Sequence, residues 1–236
     1  GKAHNQASAQ EKWERLKAFN DKMSKIKRGI KKSLESDNPK EREAAAILYL
    51  IYKTAFRKGG QRETLAAVKA YGASTLLGKH VTVNGSKIKF DFIGKKGVRI
   101  QKSVRDATLA KIINDRKTIQ WSARLFSVGG MAANSLLKKI AGDDFSVKDF
   151  RNWHATSIAL DLISKRQGPA LDEKGFRVWQ KEVAVKVSKF LGNTPGIALN
   201  EYINPNVWSV CRKTEWGALV PKKLKEEKSV TEDFAD

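Results

Sequence analysis

Residues 80–104, HVTVNGSKIKFDFIGKKGVRIQKSV, carry the strand pattern that decides the fold class. Apolar and polar side chains alternate along KIKFDFI, as they do on a sheet with one buried face. The dipeptide Asn84-Gly85 separates the first two runs and is a strong signal for a tight hairpin. Gly94 and Gly97 bracket a second turn. The segment therefore predicts three antiparallel strands, over 80–83, 87–93 and 98–104.

The sequence on either side of this insertion, which spans about 79–104, has helical periodicity. Residues 41–56 are apolar nearly all round, which predicts a buried helix. Ser146 precedes another helical run and is the predicted cap of that helix. The predicted fold class is α+β, mostly α-helical, with an inserted three-stranded antiparallel sheet. Helices are predicted over 8–34, 41–56, 105–116, 130–141, 146–165, 172–191, about 197–203 and 206–213, with a further turn or two before Ala70.

The charge balance indicates the kind of partner. The 236 residues include 46 Lys and Arg against 25 Asp and Glu, a net charge of 46 − 25 = +21. Residues 1–40 hold eleven basic and five acidic side chains, and residues 221–236 hold four and five, so the excess is spread along the chain. A broad basic surface favours nucleic acid, because neutralising phosphates releases counterions. A surface that is basic for solubility, or that binds an acidic protein or a membrane, is the alternative.

Targeting signals and cysteine content predict the location. No apolar run reaches about 18 residues, so no membrane span is predicted. The first residues, GKAHNQAS, lack the apolar stretch of a signal peptide. A single cysteine, Cys211, excludes an internal disulfide and favours a reducing compartment. The expected location is intracellular, with DNA.

Common nucleotide and metal motifs are absent from the sequence, which has no GxxxxGK[ST], no GxGxxG after a strand, no HExxH and no paired cysteines. Three cations, Arg57, Lys95 and Arg151, instead stand at predicted element boundaries, and Tyr202 lies near the last helices. Taken singly, each of the four suits an ordinary solvated or half-buried role. Their sequence contexts favour a shared function.

Five motifs occur in a fixed order: LYLIYKTAFRKGG, YGASTLLGKHV, FDFIGKKGVRI, KDFRNWHATSIAL and LGNTPGIALNEYINP. With them, roughly residues 10–215 resemble the catalytic domain of type IB DNA topoisomerases, most closely the compact bacterial and large-virus forms. The resemblance implies an enzyme that nicks one strand of duplex DNA through a 3′-phosphotyrosine intermediate. It implies that supercoils relax by strand rotation and that religation needs no ATP, metal or cofactor.

The resemblance also implies roles for five residues. Tyr202 would be the nucleophile, and Arg57 and Arg151 would bind the charge that develops on the phosphate. Lys95, in the GKKG turn, would give a proton to the leaving oxygen. Asn193 stands nine residues before Tyr202, where many family members have His. Asn can donate to a phosphate oxygen but cannot carry a proton on and off.

The predicted DNA contacts are weaker inferences, since exposed lysines are usually solvated. His154, three residues after Arg151, is predicted as either structural or adjacent to a phosphate. The stretch KGGQRET after Arg57 departs from the Gly-Asn-Glu run that is common in the family. The residues predicted to contact DNA are Lys58, Lys79, Lys96, Lys148 and His154.

The predicted catalytic domain spans residues 1–220, with the tyrosine-bearing segment over about 192–213 and a flexible tail over 221–236. The family usually has an N-terminal β-rich domain, for which this sequence has no counterpart, so a fragment or a minimal form is expected. The resemblance implies a monomer that clamps duplex DNA.

Two other functions stay open at this point. A tyrosine recombinase uses the same Arg–Lys–Arg–Tyr chemistry, although its second arginine typically lies in HxxR, whereas here the motif is KDFR. A DNA-binding module that has lost activity is the second alternative, and the presence of all four predicted side chains argues against it.

Overall fold

The computed structural model describes residues 2–60, 69–117, 122–167 and 171–211. They form two compact units. We call Asp21–Phe150 the sheet unit, and Gly1–Asn20 together with Arg151–Asp236 the tyrosine unit. The two units subdivide the interval that the sequence predicts as one catalytic domain.

The sheet has the predicted three antiparallel strands, β1 (Val81–Asn84), β2 (Lys87–Ile93) and β3 (Arg99–Arg105), in the order β1-β2-β3. Gly85 adopts a left-handed φ of 57° in the first turn, a conformation that glycine takes at little cost. The alternation predicted from KIKFDFI is present, because Ile88, Phe90 and Phe92 are buried and the residues between them are exposed. The helix-dominated fold class with an inserted sheet is thereby confirmed.

The described part of the sheet unit is completed by four α-helices and by three short 3₁₀ helices, Ala73–Thr75, Gly78–His80 and Lys95–Gly97. The α-helices are α2 (Met23–Leu34), α3 (Pro39–Thr54), α4 (Ala107–Asn114) and α5 (Gly130–Ala141). Helix α3 is buried on most sides, as its sequence predicts, and the Asn38 side chain caps its start by accepting from Lys40 and Glu41 N–H. Helices α2 and α5 approach closely at Gly29, where an added Cβ would lie 2.6 Å from Ile140 Cγ2.

The tyrosine unit contains helices from both ends of the chain. They are α1 (Lys2–Asp21), α6 (Lys148–Ser164), α7 (Glu173–Leu191), α8 (Pro195–Ile197) and α9 (Asn206–Cys211), and α6 begins in the last residues of the sheet unit. A π-helical segment, Ala198–Tyr202, follows α8 directly. Thr194 caps α8 by accepting from Ile197 N–H.

One predicted helix needs its boundaries corrected. The predicted helix over 8–34 begins earlier, at Lys2, and consists of two helices that meet at Lys22, where ψ is −9° and departs from the α-helical value. The apolar spacing continues through this break. Ser146 precedes α6, and its N–H donates to the Asp149 carboxylate in the first turn at 2.7 Å, which is the reciprocal bond of a capping box. The helical turns predicted before Ala70 lie mostly outside the described residues, as do the end of the 206–213 helix and the tail over 221–236. In the described segments, no helix has both the length and the apolar character to span a membrane.

Candidate active site

Arg57 lies three residues beyond the end of α3, at a point where the backbone is held on both sides. The residue after the helix, Ala55, is fully buried in the left-handed region at φ 55°, so the chain turns sharply there. The Arg57 carbonyl then accepts from Ala73 N–H at 2.8 Å. Gly72 packs so closely that an added Cβ would lie 2.6 Å from the Arg57 oxygen. The backbone that presents this partly exposed arginine is therefore fixed.

The backbone of Lys58, the next residue, is held by the same segment that bonds to Arg57. Its carbonyl accepts from Ser74 N–H at 3.0 Å and from Ser74 Oγ at 2.7 Å. Its Nζ lies 3.2 Å from Sδ of Met131, a side chain that is 62% exposed at the start of α5. The ammonium thus lies at the surface, and its contact with DNA stays a prediction.

Lys95 lies in the turn between β2 and β3. Gly94 N–H donates to Val98 O at 2.7 Å, and Gly97 N–H donates to Gly94 O at 3.1 Å. Lys96 adopts a left-handed φ of 62°, unusual for a residue with a Cβ. Both lysines are exposed, but the backbone change between them directs their side chains differently. The turn therefore distinguishes two neighbouring cations that the sequence alone does not.

An ion pair braces the base of this turn. Asp91 on β2 accepts from Arg99 Nε at 2.8 Å and Nη2 at 2.6 Å, and from Gln101 Nε2 at 3.0 Å. These bonds, chiefly those from Arg99, lower the pKa of Asp91 to about 2. The pair links β2 to β3 and is largely exposed, so it adds little stability.

Arg151 is buried, with 3% of its surface exposed, on helix α6. Its Nη2 donates to Leu191 O at the end of α7, at 3.2 Å. Its guanidinium carbon lies 4.7 Å from the centre of the Tyr202 ring, within cation–π range. The structure therefore brings together the predicted second arginine and the predicted nucleophile.

Asn193 follows the left-handed cap of α7, Gly192, which has φ 64°. Its backbone N–H donates to Ser188 O at 3.1 Å. Its side-chain Oδ1 and Nδ2 are buried and have no hydrogen-bond partner among the residues that the structure describes. A buried amide without a partner is costly, so this side chain is suited to a polar ligand that satisfies it.

Tyr202 ends the π-helical segment, whose last bond runs from Ile203 N–H to Ala198 O at 2.9 Å. The buried hydroxyl of Thr156 on α6 lies beyond that bond, donating to Tyr202 O at 3.4 Å and accepting from Asn204 N–H at 3.2 Å. One hydroxyl thus contacts the backbone on both sides of Ile203. Sequence reasoning missed Thr156, because a lone threonine within a helical motif carries no signal of a distant partner.

The other predicted contacts differ in exposure. His154 is fully buried, with its ring 4.9 Å from Trp153 and 5.1 Å from Phe190 between centroids, which favours the structural alternative over a phosphate contact. Trp153 in turn donates through Nε1 to Asn20 Oδ1 at 2.8 Å. Lys79 and Lys148 are exposed.

The predicted site is thus divided between the units. Arg151, Asn193 and Tyr202 belong to the tyrosine unit, where one guanidinium contacts both the tyrosine ring and the end of α7. Arg57 and Lys95 belong to the sheet unit.

Comparison with known proteins gives a consistent match. Residues 2–202 match the model of the family described as "Eukaryotic DNA topoisomerase I, catalytic core". DNA topoisomerase 1 of Schizosaccharomyces pombe is 27% identical over 158 residues, which are 65% of this chain and 19% of that protein. DNA topoisomerase 1B of Acanthamoeba polyphaga mimivirus is 27% identical over 179 residues, 68% of this chain and 52% of that protein. DNA topoisomerase 1 of Daucus carota is 29% identical over 178 residues, 73% of this chain and 22% of that protein.

The fold and these matches define a catalytic core of the type IB topoisomerase class. The chain belongs to the family of the eukaryotic DNA topoisomerase I catalytic core. The family predicted from the five ordered motifs is therefore confirmed. The chain spans between about a fifth and about half of the length of these three relatives.

Proposed function

We propose that the chain nicks one strand of duplex DNA through a 3′-phosphotyrosine intermediate, relaxes supercoils by strand rotation, and religates the strand without ATP. The observation that carries the proposal is the Arg151 guanidinium, 4.7 Å from the Tyr202 ring on a buried helix. A permanent cation held beside a phenol favours the negative charge that the attacking oxygen must carry. Family membership supports the same reaction.

The reaction exchanges one phosphodiester for another. The Tyr202 oxygen gives its proton to solvent and attacks phosphorus, while the bond from phosphorus to the 5′ oxygen breaks. Lys95 gives a proton to that 5′ oxygen, and the same steps in reverse reseal the strand. The new bond resembles the one broken, so no external energy source is required.

The remaining residues act on the charge of the transition state. Arg57 and Arg151 each present a planar fork of donors, which suits two non-bridging oxygens better than a point charge does. The buried Asn193 amide, which has no partner among the described residues, would donate to one of those oxygens. Groups preorganised in this way stabilise developing charge without reorganisation during the reaction.

Duplex DNA is the proposed partner because of the net charge of +21 and the exposed Lys79, Lys96 and Lys148. Binding through phosphates should weaken with salt along a log–log slope of about −0.9 per contact. We expect the protein to act as a monomer that clamps one duplex.

The test is relaxation of supercoiled plasmid in EDTA without ATP, with covalent adducts trapped by denaturant. The wild-type protein should relax the plasmid and form an adduct. Tyr202→Phe should do neither and should still bind DNA, while Tyr71→Phe, which alters a half-buried tyrosine of the sheet unit, should behave as wild type. An adduct with Tyr202→Phe would refute the assignment of the nucleophile.

The same assay separates the alternatives. Binding without an adduct in the wild-type protein would support the non-catalytic module. Strands joined between two different duplexes, without relaxation, would support a recombinase.

A further inference from the structure

We propose that Lys102 is a positioning residue that holds the end of helix α3 and thereby presents Arg57 to the DNA phosphate. Lys102 lies on β3, and it links the backbone before Arg57 to the hairpin that carries Lys95. The inference rests on the proposed function, since it assigns a means of positioning to an arginine of that site.

The central contact is a short hydrogen bond. Lys102 Nζ donates to Thr54 O at 2.6 Å, and Thr54 is the last residue of α3. Carbonyls in the last turn of a helix lack partners within the helix and carry the negative end of its dipole. A cation at this point supplies a hydrogen-bond donor to such a carbonyl and offsets the negative end of the dipole. The ammonium of Lys102 therefore fixes the position where α3 ends.

The residues between that bond and Arg57 transmit the position directly. Phe56 N–H donates to Thr54 Oγ1 at 3.2 Å, while the same hydroxyl donates to Leu50 O at 2.7 Å. The Lys102 ammonium also lies 5.6 Å from the centre of the Phe56 ring. Phe56 immediately precedes Arg57, so Lys102 contacts the chain at both Thr54 and the residue before the arginine.

Lys102 is also part of the β2–β3 hairpin, so it connects the end of α3 to that hairpin. Lys102 pairs with Phe90 in the β2–β3 register. The Phe56 ring packs edge-on against Phe90 and Phe92, at 5.1 and 5.0 Å between centroids. Phe92 lies two residues before the turn that begins at Gly94 and carries Lys95. Lys102 and the rings of Phe56, Phe90 and Phe92 therefore anchor the residue before Arg57 to the sheet.

A direct contact with DNA explains Lys102 less well. Its side chain is partly buried and its ammonium is engaged with a backbone carbonyl and an aromatic ring. Lys89, on the neighbouring strand, is exposed and provides the comparison. Removing either lysine lowers the net charge by one, but only Lys102 lies on the path to Arg57.

The experiment is a double-mutant cycle on single-turnover cleavage at saturating DNA, with Lys102→Met, Arg57→Ala and the double variant. Lys102→Met should cleave about 10- to 100-fold more slowly, the scale for a misplaced reacting group. It should weaken DNA binding no more than Lys89→Met, which should cleave at the wild-type rate. In the Arg57→Ala background, Lys102→Met should cause no further loss, because it acts through the arginine.

The outcomes separate this inference from the proposed function. Wild-type cleavage by Arg57→Ala would refute the role of that arginine in the proposed function. Slow cleavage by Arg57→Ala, with an additive further loss on adding Lys102→Met, would overturn the positioning role alone. So would a rate for Lys102→Met equal to that of Lys89→Met. If Lys102→Met fails to fold, Lys102→Gln takes its place in the cycle, because its shorter and uncharged side chain weakens the bond to Thr54 O while keeping a polar group at the site. A wild-type rate for Lys102→Gln, or an additive loss with Arg57→Ala, would then overturn the positioning role.

Discussion

The end of helix α3 and the segment that carries Tyr202 present two predicted site residues in different ways. Arg57 follows a buried helix of 16 residues, and the bond from Lys102 and the Phe56 ring contacts fix the chain just before it. Tyr202 is the last residue of a five-residue π-helical turn, which follows a three-residue helix. Helical pieces this short have little stability of their own.

The difference suggests a division of tasks. A cation that stabilises developing charge works best when it is already in place, which the α3 end provides. Tyr202, the proposed nucleophile, depends instead on contacts from another helix, namely Arg151 beside its ring and Thr156 at its backbone. We expect the tyrosine segment to open more readily than the α3 end, and the following predictions test this.

The largest effect should come from Arg151, the side chain that contacts the tyrosine ring. Arg151→Ala should slow cleavage by about 10²–10³-fold, the scale for losing one preorganised donor to developing charge. Arg151→Lys should recover only part of this, because a point charge does not reproduce the fork. Full activity of Arg151→Lys in single-turnover cleavage would contradict a bidentate role.

The second largest effect on cleavage should come from Lys95, and a modified substrate identifies its role. Lys95→Ala should cleave normal DNA slowly and recover most of its rate when sulfur replaces the bridging 5′ oxygen, because that leaving group needs no proton. Lys96→Ala should cleave both substrates near the wild-type rate at saturating DNA, with a modest loss of affinity. If sulfur rescues Lys96→Ala and not Lys95→Ala, the general-acid role belongs to Lys96.

A change at Thr156 tests whether the tyrosine segment opens more readily than the end of α3. Thr156→Val keeps the shape but leaves Asn204 N–H without its bond, so we expect about 10-fold slower cleavage and faster amide hydrogen exchange over 195–204. Exchange at the α3 end should not change. Thr156→Ser should restore both measurements. Ser188→Ala is the matched control, since that buried hydroxyl bonds back to Val185 O of its own helix.

The smallest effect concerns the ion pair at the base of the lysine turn. The pKa of Asp91 is about 2, below its unfolded value of about 3.9, so its stabilising effect is present above pH 4 and is lost as the pH falls toward 2. Asp91→Asn should lower the melting temperature slightly at pH 7, and the difference from wild type should shrink between pH 4 and pH 2. A difference that grows over this range would contradict the pairing.

The sequence predicted what depends on local pattern. The alternation at Ile88, Phe90 and Phe92 was sufficient for the sheet and for the face of β2 that is buried, because a period of two places these side chains on one face. The apolar run in 41–56 was likewise sufficient for α3. The break at Lys22 escaped prediction, since the apolar spacing continues through it.

The sequence predicted the site residues whose roles follow from the motifs, and it missed those whose roles depend on distant contacts. Motif order identified Arg151 and Tyr202, and the structure brings them together. Lys102 and Thr156 escaped because each bonds to a backbone group 46 to 48 residues away, which no local pattern reveals. The buried amide of Asn193 escaped for a similar reason, since its burial depends on packing.

The π-helical turn has a consequence for the direction in which the tyrosine faces. The bond from Ile203 N–H to Ala198 O spans five residues, one more than an α-helix allows. Each residue of an α-helix accounts for about 100° of rotation about the axis. If this π-helical turn contracted by one residue to an α-helical turn, the Tyr202 phenol would therefore rotate away from Arg151, while α7 would stay unchanged. The width of this single turn therefore determines whether the ring of the proposed nucleophile, Tyr202, faces Arg151.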